Sequence, residues 1–212
     1  MRHRLVLLLL FAGLISGQAG KAMAAEEAAP NRSLLLIANE DMEDPRFRQT
    51  VVLVTRHGRS RSTIGVIVNR PTDIRLDQVF SDFAQPLTAH RLHYGGPVAQ
   101  GQIVFLVRGD VVPKAAITLA DKLYISSDGQ SLKRLLSNPT PPDRLRVFDG
   151  FASWAPGQLE QELDRGDWYL LPVDADIVFG TPTGEIWERL LRRATQRMVR
   201  APRPGVLVLA GD

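Results

Sequence analysis

The chain has 212 residues, with 26 Lys plus Arg against 23 Asp plus Glu and no cysteine. The missing cysteine excludes disulfides, thiolate metal sites and a cysteine nucleophile. Three of the basic residues, Arg2, Arg4 and Lys21, fall in the first 24 positions, so the other 188 residues carry 23 charges of each sign. A general phosphate attraction, as in nucleic-acid binding, then has no source.

The N-terminus begins with the basic head Met1-Arg2-His3-Arg4. Eleven residues from Leu5 to Ile15 follow, apolar apart from Gly13, and then small and polar residues up to Ala22-Met23-Ala24. These are the three parts of a secretory signal, with cleavage expected after Ala24. The apolar run falls short of the ~20 residues that a spanning helix needs. Residues 25–33, with Pro30, read as a flexible linker, 34–200 as one domain, and 201–212 as a C-terminal tail.

Within the domain, Leu34 to Ile37 is a continuous apolar run that suits a buried strand. Thr50 to Thr55 is β-branched and apolar, as is Thr63 to Asn69, and the polar link His57-Gly58-Arg59-Ser60 between them predicts a hairpin. Pro71 is expected to stop the second strand. Leu76, Val79, Phe80 and Phe83 have helical spacing. His93-Tyr94 leads into the turn Gly95-Gly96-Pro97. Gln102 to Val107 and Lys122 to Ser126 read as strands. Asp128 is placed to cap a helix through Leu136 that ends at Asn138-Pro139. Arg146 to Phe151 is the next strand, and Pro156 suits the first position of a helix that carries Leu159 and Leu163 and stops at Gly166. Trp168 to Leu171 reads as a strand. Glu185 to Arg200 is an amphipathic helix with Ile186, Leu190, Ala194 and Met198 on one stripe, and Glu188 with Arg192 in favourable i,i+4 order. Strands cluster early and helices late without βαβ alternation, which points to α+β.

The sequence holds no G-x-S-x-G elbow, no H-E-x-x-H, no phosphate-binding loop and no dinucleotide fingerprint. His90 and His93 stand three apart without a carboxylate run, so neither a metal nor a cofactor is expected. His57 sits in a polar turn, and Ser153 lacks a strained elbow and an assigned base. Glu160 and Glu162 are two apart on a helix and point to different faces.

Four segments taken together carry a resemblance. They are Ala38-Asn39-Glu40-Asp41-Met42-Glu43-Asp44-Pro45-Arg46-Phe47 leading to Thr50-Val51-Val52; Gly65 to Pro71 (G-V-I-V-N-R-P); Tyr94-Gly95-Gly96-Pro97-Val98; and Gly150 to Glu160 (G-F-A-S-W-A-P-G-Q-L-E). In this order and spacing, from about Leu34 to about Leu191, the chain resembles the YqgE/AlgH family of bacterial proteins. The resemblance implies a branched β-sheet curled into a barrel-like body with packed helices. It implies no settled activity, although one branch of the family is named for the regulation of alginate genes. The chain departs from the family in its leader, in the basic turn Gly58-Arg59-Ser60-Arg61-Ser62, and in Ser153 within the Gly150–Trp154 motif. Export argues against a role at DNA.

The recurring polar and glycine residues define an expected binding patch of Asp44, Arg46, Asn69, Arg70, Gly95, Gly96, Trp154, Gln158 and Glu160, suited to a small anion, a peptide or a protein. A structural role competes with it: Asn and Gly would serve turn geometry, and Arg70 would pair with Asp44 or Glu160. The function expected is a non-enzymatic binding or interaction module in the bacterial envelope. A hydrolase using His57 with Asp44 or Ser153 is the alternative, and a transcriptional regulator, by family name, is the second.

Overall fold

The computed structural model describes residues 33–57, 62–80, 87, 89–138 and 140–200; the expected signal, most of the linker and the C-terminal tail lie outside them. The described residues form ten strands: β1 (Leu34–Ala38), β2 (Val51–His57), β3 (Ser62–Ile67), β4 (Pro71–Arg75), β5 (Arg91–Tyr94), β6 (Val98–Arg108), β7 (Ile117–Ala120), β8 (Leu123–Ser126), β9 (Leu145–Trp154) and β10 (Trp168–Pro172). Five helices accompany them: α1 (Leu76–Val79), α2 (Gly129–Ser137), α3 (Gln158–Asp164), α4 (Ala175–Gly180) and α5 (Ile186–Arg200).

The main sheet runs β10-β1-β2-β3-β9-β6-β8-β7 with every pair antiparallel. It forks at β9. One edge of β9 pairs with β6, while the other pairs first with β5, in parallel, at Val147 to Asp149 and then with β3 at Ala152 to Trp154. Strand β4 extends the side branch by pairing with β5. Gly95 closes the fork: its N–H donates to Asp149 O at 2.9 Å, and its carbonyl accepts from Ile67 N at 2.9 Å. The protein is thus α+β, a branched sheet curled into a half-barrel with helices packed on it.

Glycine is needed at this fork for two reasons. A Cβ on Gly95 would fall inside the Gly150 carbonyl, and one on Gly96 inside the Phe151 backbone. Gly150 has φ +68°, and this kink resets the alternation of β9, so that Phe148 and Phe151, three apart, both face the same core. A left-handed backbone at such a kink costs a non-glycine residue about 1–3 kcal/mol.

Alternation along the strands divides the apolar residues among three cores. The concave core holds Leu35, Leu53, Val66, Leu106 and Phe148, and is closed at one end by Phe179 of α4 and Leu190 of α5. On the convex side, α3 lays Leu159 against Leu36, Val52, Trp154 and Trp168. Beside it, α2 lays Leu132 and Leu136 against Phe105, Tyr124 and Val147. Both faces of β1 and β2 are therefore covered, which is why their sequences are apolar without alternation.

The structure differs from the sequence expectations in several local ways. Pro71 opens a strand instead of ending one, at the margin of the sheet where a missing N–H is tolerated. Helix α1 is a single turn, with Leu76 buried and Val79 exposed. Helix α3 starts at Gln158 with Gly157 at φ +82° as its N-cap, so Pro156 lies in the preceding turn. Strand β7 and helix α4 were not expected, being short and weakly periodic. The Asp128 cap is present, with its carboxylate accepting from Ser131 N at 2.7 Å.

Candidate binding cleft

Of the expected patch residues, Asp44, Arg46, Asn69, Arg70 and Trp154 meet at the loop that joins β1 to β2, whereas Gly95 and Gly96 lie at the fork of the sheet and Gln158 and Glu160 on α3; most of their polar atoms are used inside the protein. Asn69 accepts from Val51 N at 2.8 Å and donates to Gln49 O at 2.9 Å, fixing a loop residue whose φ is +56°. Arg70 donates to the carbonyls of Arg46 at 2.6 Å and Arg48 at 3.0 Å. Burial lowers the pKa of its guanidinium below the usual value, opposed by Tyr94 and Asp44. Asp44 is bound by Arg46, at 2.7 Å through Nη2, and this hydrogen bond holds its carboxyl below the ordinary value. Arg70 therefore spends its donors on carbonyls, and neither Asp44 nor Glu160 forms an ion pair with it among the described residues. Glu160 is exposed on α3.

Trp154 is 2 % exposed. Its indole N–H donates to Glu162 Oε2 at 2.8 Å, and Trp168 donates to the same oxygen at 2.9 Å. Gln158 donates to the other oxygen at 3.0 Å and accepts from Ala155 N at 3.1 Å, tying the start of α3 to the end of β9. Phe47 completes the cluster, with ring centroids 5.9 Å from Trp154 and 5.5 Å from Trp168. Glu162 is thus the centre of this network, a role that its sequence neighbourhood does not announce.

The candidate hydrolytic residues are kept apart by the sheet. Asp44 precedes β2 and His57 ends it, and the ends of a strand this long are about 20 Å apart. Ser153 is opposite Ile64, which is opposite Thr55, so about 10 Å of sheet lies between β9 and β2. His90 bonds to Thr140 O at 2.8 Å and His93 to Arg91 O at 3.1 Å, both rings being buried. No group of three or more metal-ligating side chains occurs among the described residues. Arg146 is 7 % exposed, donates to Val68 O at 2.8 Å and lies 5.4 Å from the Phe179 ring centre; burial lowers its pKa to about 10.

An open volume lies on the other face of the sheet. A cleft of about 430 Å³ lies on the concave side, above the core, where α4 and α5 do not reach. Five adjacent strands line it, each with two residues two apart. The pairs are Ile64 and Ser62 on β3, Phe151 and Ser153 on β9, and Val104 and Gln102 on β6. Ile125 with Ser127, at the end of β8, and Ile117 with Ala115, before β7, are the other two pairs, and Gly65 and the buried Ser126 also line the cleft. The first of each pair is apolar and half-buried or buried; the second is polar or small and, except for Ser62, exposed. Two residues further inward, Val66, Leu106 and Leu123 are fully buried in the concave core. Along β3, β6 and β8 the side chains thus grade from a sealed apolar residue through an apolar one that lines the cleft to a polar one at its mouth. Among the described residues, no charged side chain and no histidine lines the cleft.

A branched, half-closed sheet with helices packed on it is the α+β architecture that the sequence resemblance implied. The chain belongs to the AlgH-like family, whose signature covers residues 35–199. A UPF0301 protein of Thermobifida fusca is 33% identical over 170 residues, which span 75% of this chain and 84% of that protein. Another, of Pelodictyon phaeoclathratiforme, is 32% identical over 160 residues, spanning 74% and 83%. The solution structure of the AlgH protein from Pseudomonas aeruginosa is similar, with a TM-score of 0.61 and 26% identity, covering 86% of this chain and 99% of that one. A crystal structure of a Corynebacterium diphtheriae protein gives a TM-score of 0.62 at 27% identity, with coverage of 80% and 90%. These relatives define a family of uncharacterised function.

Proposed function

We propose that this protein is a non-enzymatic binding module that takes a neutral, largely apolar group into its concave cleft. The observation that carries this reading is the lining of the cleft, in which Ile64, Val104, Ile117, Ile125 and Phe151 line an open volume and no described lining residue is charged. The volume lies in the range of small-molecule sites, roughly 300–1,000 Å³. The described lining residues offer hydroxyls and one amide for orientation, and none of them is an acid or base for catalysis. The polar patch around Arg46 and Arg70 serves as a clamp on the β1–β2 loop.

Titration with the neutral dye N-phenyl-1-naphthylamine tests this. Saturable fluorescence enhancement is expected, weakened about tenfold or more by Phe151→Ala and abolished by Ile64→Glu, with Arg46→Ala unchanged. No enhancement by the folded protein, or equal loss in Arg46→Ala, would refute the cleft as the site.

The same reading places the module in the bacterial envelope. Its support is the basic head, the eleven-residue apolar run and the Ala22-Met23-Ala24 site. Intact mass of the protein from its native host should show a mature chain starting at Ala25. A full-length mass in the cytosol would remove the envelope from the proposal.

A further inference from the structure

We propose that, without a ligand, the concave cleft is filled by this chain's own residues 206–210; this rests on the cleft reading above and adds how the site is kept closed. The direction of α5 is the first reason. Trp187 donates its indole N–H to Ala38 O, at the end of β1, at 2.8 Å. Further along the helix, Arg193 reaches Asp174 at 3.4 Å, just past Pro172, which pairs with Leu34 at the start of β1. Helix α5 therefore runs antiparallel to β1, and the stretch from Arg193 to Arg200 carries it about 10 Å further that way. Its end is thus level with Ser33 or beyond. The register carries this level across the sheet. Ser33 stands one residue beyond the Leu34–Val54 pair, beside Thr55, and Thr55 is opposite Ile64 of the cleft. From β1 to β3 is two strand spacings, about 10 Å.

The sequence after α5 supplies the occupant. Ala201-Pro202-Arg203-Pro204-Gly205 holds two prolines, which favour an extended chain at ~3.1 Å per residue, so position 206 can stand about 19 Å from Arg200. Val206-Leu207-Val208-Leu209-Ala210 follows, uncharged like the described lining of the cleft. An apolar run of such high β propensity is a hazard if it is left in water. The path from α5 to the cleft crosses Ser33 and Thr55, which share the concave face with Leu35 and Leu53 by alternation. Both hydroxyls are buried and have no hydrogen-bond partner among the described residues. A main chain passing over them brings N–H and C=O groups for both. At the cleft itself, Ser62, Ser153 and Gln102 offer partners to the backbone of the segment. A short tether gives an effective concentration in the millimolar range, so a weak contact is enough to hold the segment there. An external ligand then has to displace it.

The test compares the full-length protein with a full-length variant carrying Val206→Ser, Leu207→Ser, Val208→Ser and Leu209→Ser. With N-phenyl-1-naphthylamine as the probe, the variant should bind about tenfold more tightly, as for a cleft that its own chain fills roughly nine-tenths of the time. Without dye, the methyl signals of Ile64, Ile117 and Ile125 should differ between the two proteins, while those of Ile37 and Ile67 stay in place. A peptide of residues 201–212 added to the variant should move the cleft signals back toward their wild-type positions. Equal dye affinity with unchanged cleft methyls overturns the self-occupancy and leaves the neutral-ligand reading standing. If neither protein binds dye, that reading falls, and the dye-free methyl comparison still decides the occupant. Differences that vanish on dilution place the segment in the cleft of a second copy and contradict filling by its own chain. Cleft signals that respond only to removal of residues 1–24 give the cleft to the leader and also overturn the inference. Should the serine variant not fold, the absence of cysteine allows a single nitroxide label on Gly211→Cys. It should broaden Ile64, Ile117 and Ile125 more than Ile67; no broadening at the cleft methyls contradicts the proposal.

Discussion

Trp154 donates its indole N–H to Glu162 at 2.8 Å, across the turn that joins β9 to α3. Because Trp168 and Gln158 also donate to this carboxylate, Glu162 satisfies two indoles that would otherwise be left without a partner in the convex core. Glu162→Ala should therefore destabilise by about 2–6 kcal/mol, at about 1–3 kcal/mol for each of the two orphaned indoles. Trp154→Ala removes a buried ring as well and should cost about 3–5 kcal/mol. Urea melts measure both. A loss below about 0.5 kcal/mol in Glu162→Ala would mean that water replaces the carboxylate and that the network is not structural.

The fork of the sheet makes a second demand. Gly150→Ala puts a Cβ 2.7 Å from the Val98 carbonyl while forcing alanine to φ +68°. The expected loss is more than about 2 kcal/mol, whereas Gly129→Ala, with open space around it, should be close to neutral. Equal melting points for the two variants would contradict the close crossing of β9 with the β5–β6 turn.

Acid should weaken the fold through His93. Burial, reinforced by the neighbouring Arg146 charge, lowers its pKa from 6.5 to about 4. Between those values the unfolded chain takes up a proton and the folded chain does not, so stability falls as pH drops from 6.5 towards 4. The full effect is about 3 kcal/mol at 1.36 kcal/mol per unit. The carboxyls of Asp44, Asp110 and Asp128 are held below 3.8, so their contribution is lost near and below that value, beneath this window. Denaturant melts at pH 7 and pH 4.5 should show a smaller difference in His93→Asn than in the wild type; an unchanged difference would exclude His93 as the source.

The elements that could be read from sequence are those with local causes. The β2–β3 hairpin follows from two β-branched runs and a polar link, α2 from the Asp128 cap, and α5 from Ile186, Leu190 and Ala194 on one stripe. The family motifs led to the branched sheet but directed attention to their own polar residues. Asn69 and Arg70 hold loop carbonyls in place, and nothing in an N-R-P motif distinguishes that from a ligand contact. The cleft was illegible because each strand supplies only two or three residues and the lining is drawn from Ser62 to Ser153. Those residues meet only through the order β3-β9-β6-β8-β7, in which β9 is inserted by tertiary packing between strands formed much earlier in the chain. Serines beside isoleucines in separate strands look like ordinary alternation until that order is known.

The isoleucine methyl groups provide the most direct test of where the protein binds. Ile64, Ile117 and Ile125 line the cleft, while Ile37, Ile67 and Ile186 are buried elsewhere. Methyl NMR of isoleucine-labelled protein, recorded as the naphthylamine dye is added, reports on each separately. Progressive, saturable shifts at Ile64, Ile117 and Ile125 with little change at Ile37 and Ile186 are expected. Shifts centred on Ile67, or none at the three cleft methyls while ligand is bound, would contradict the concave cleft as the binding site.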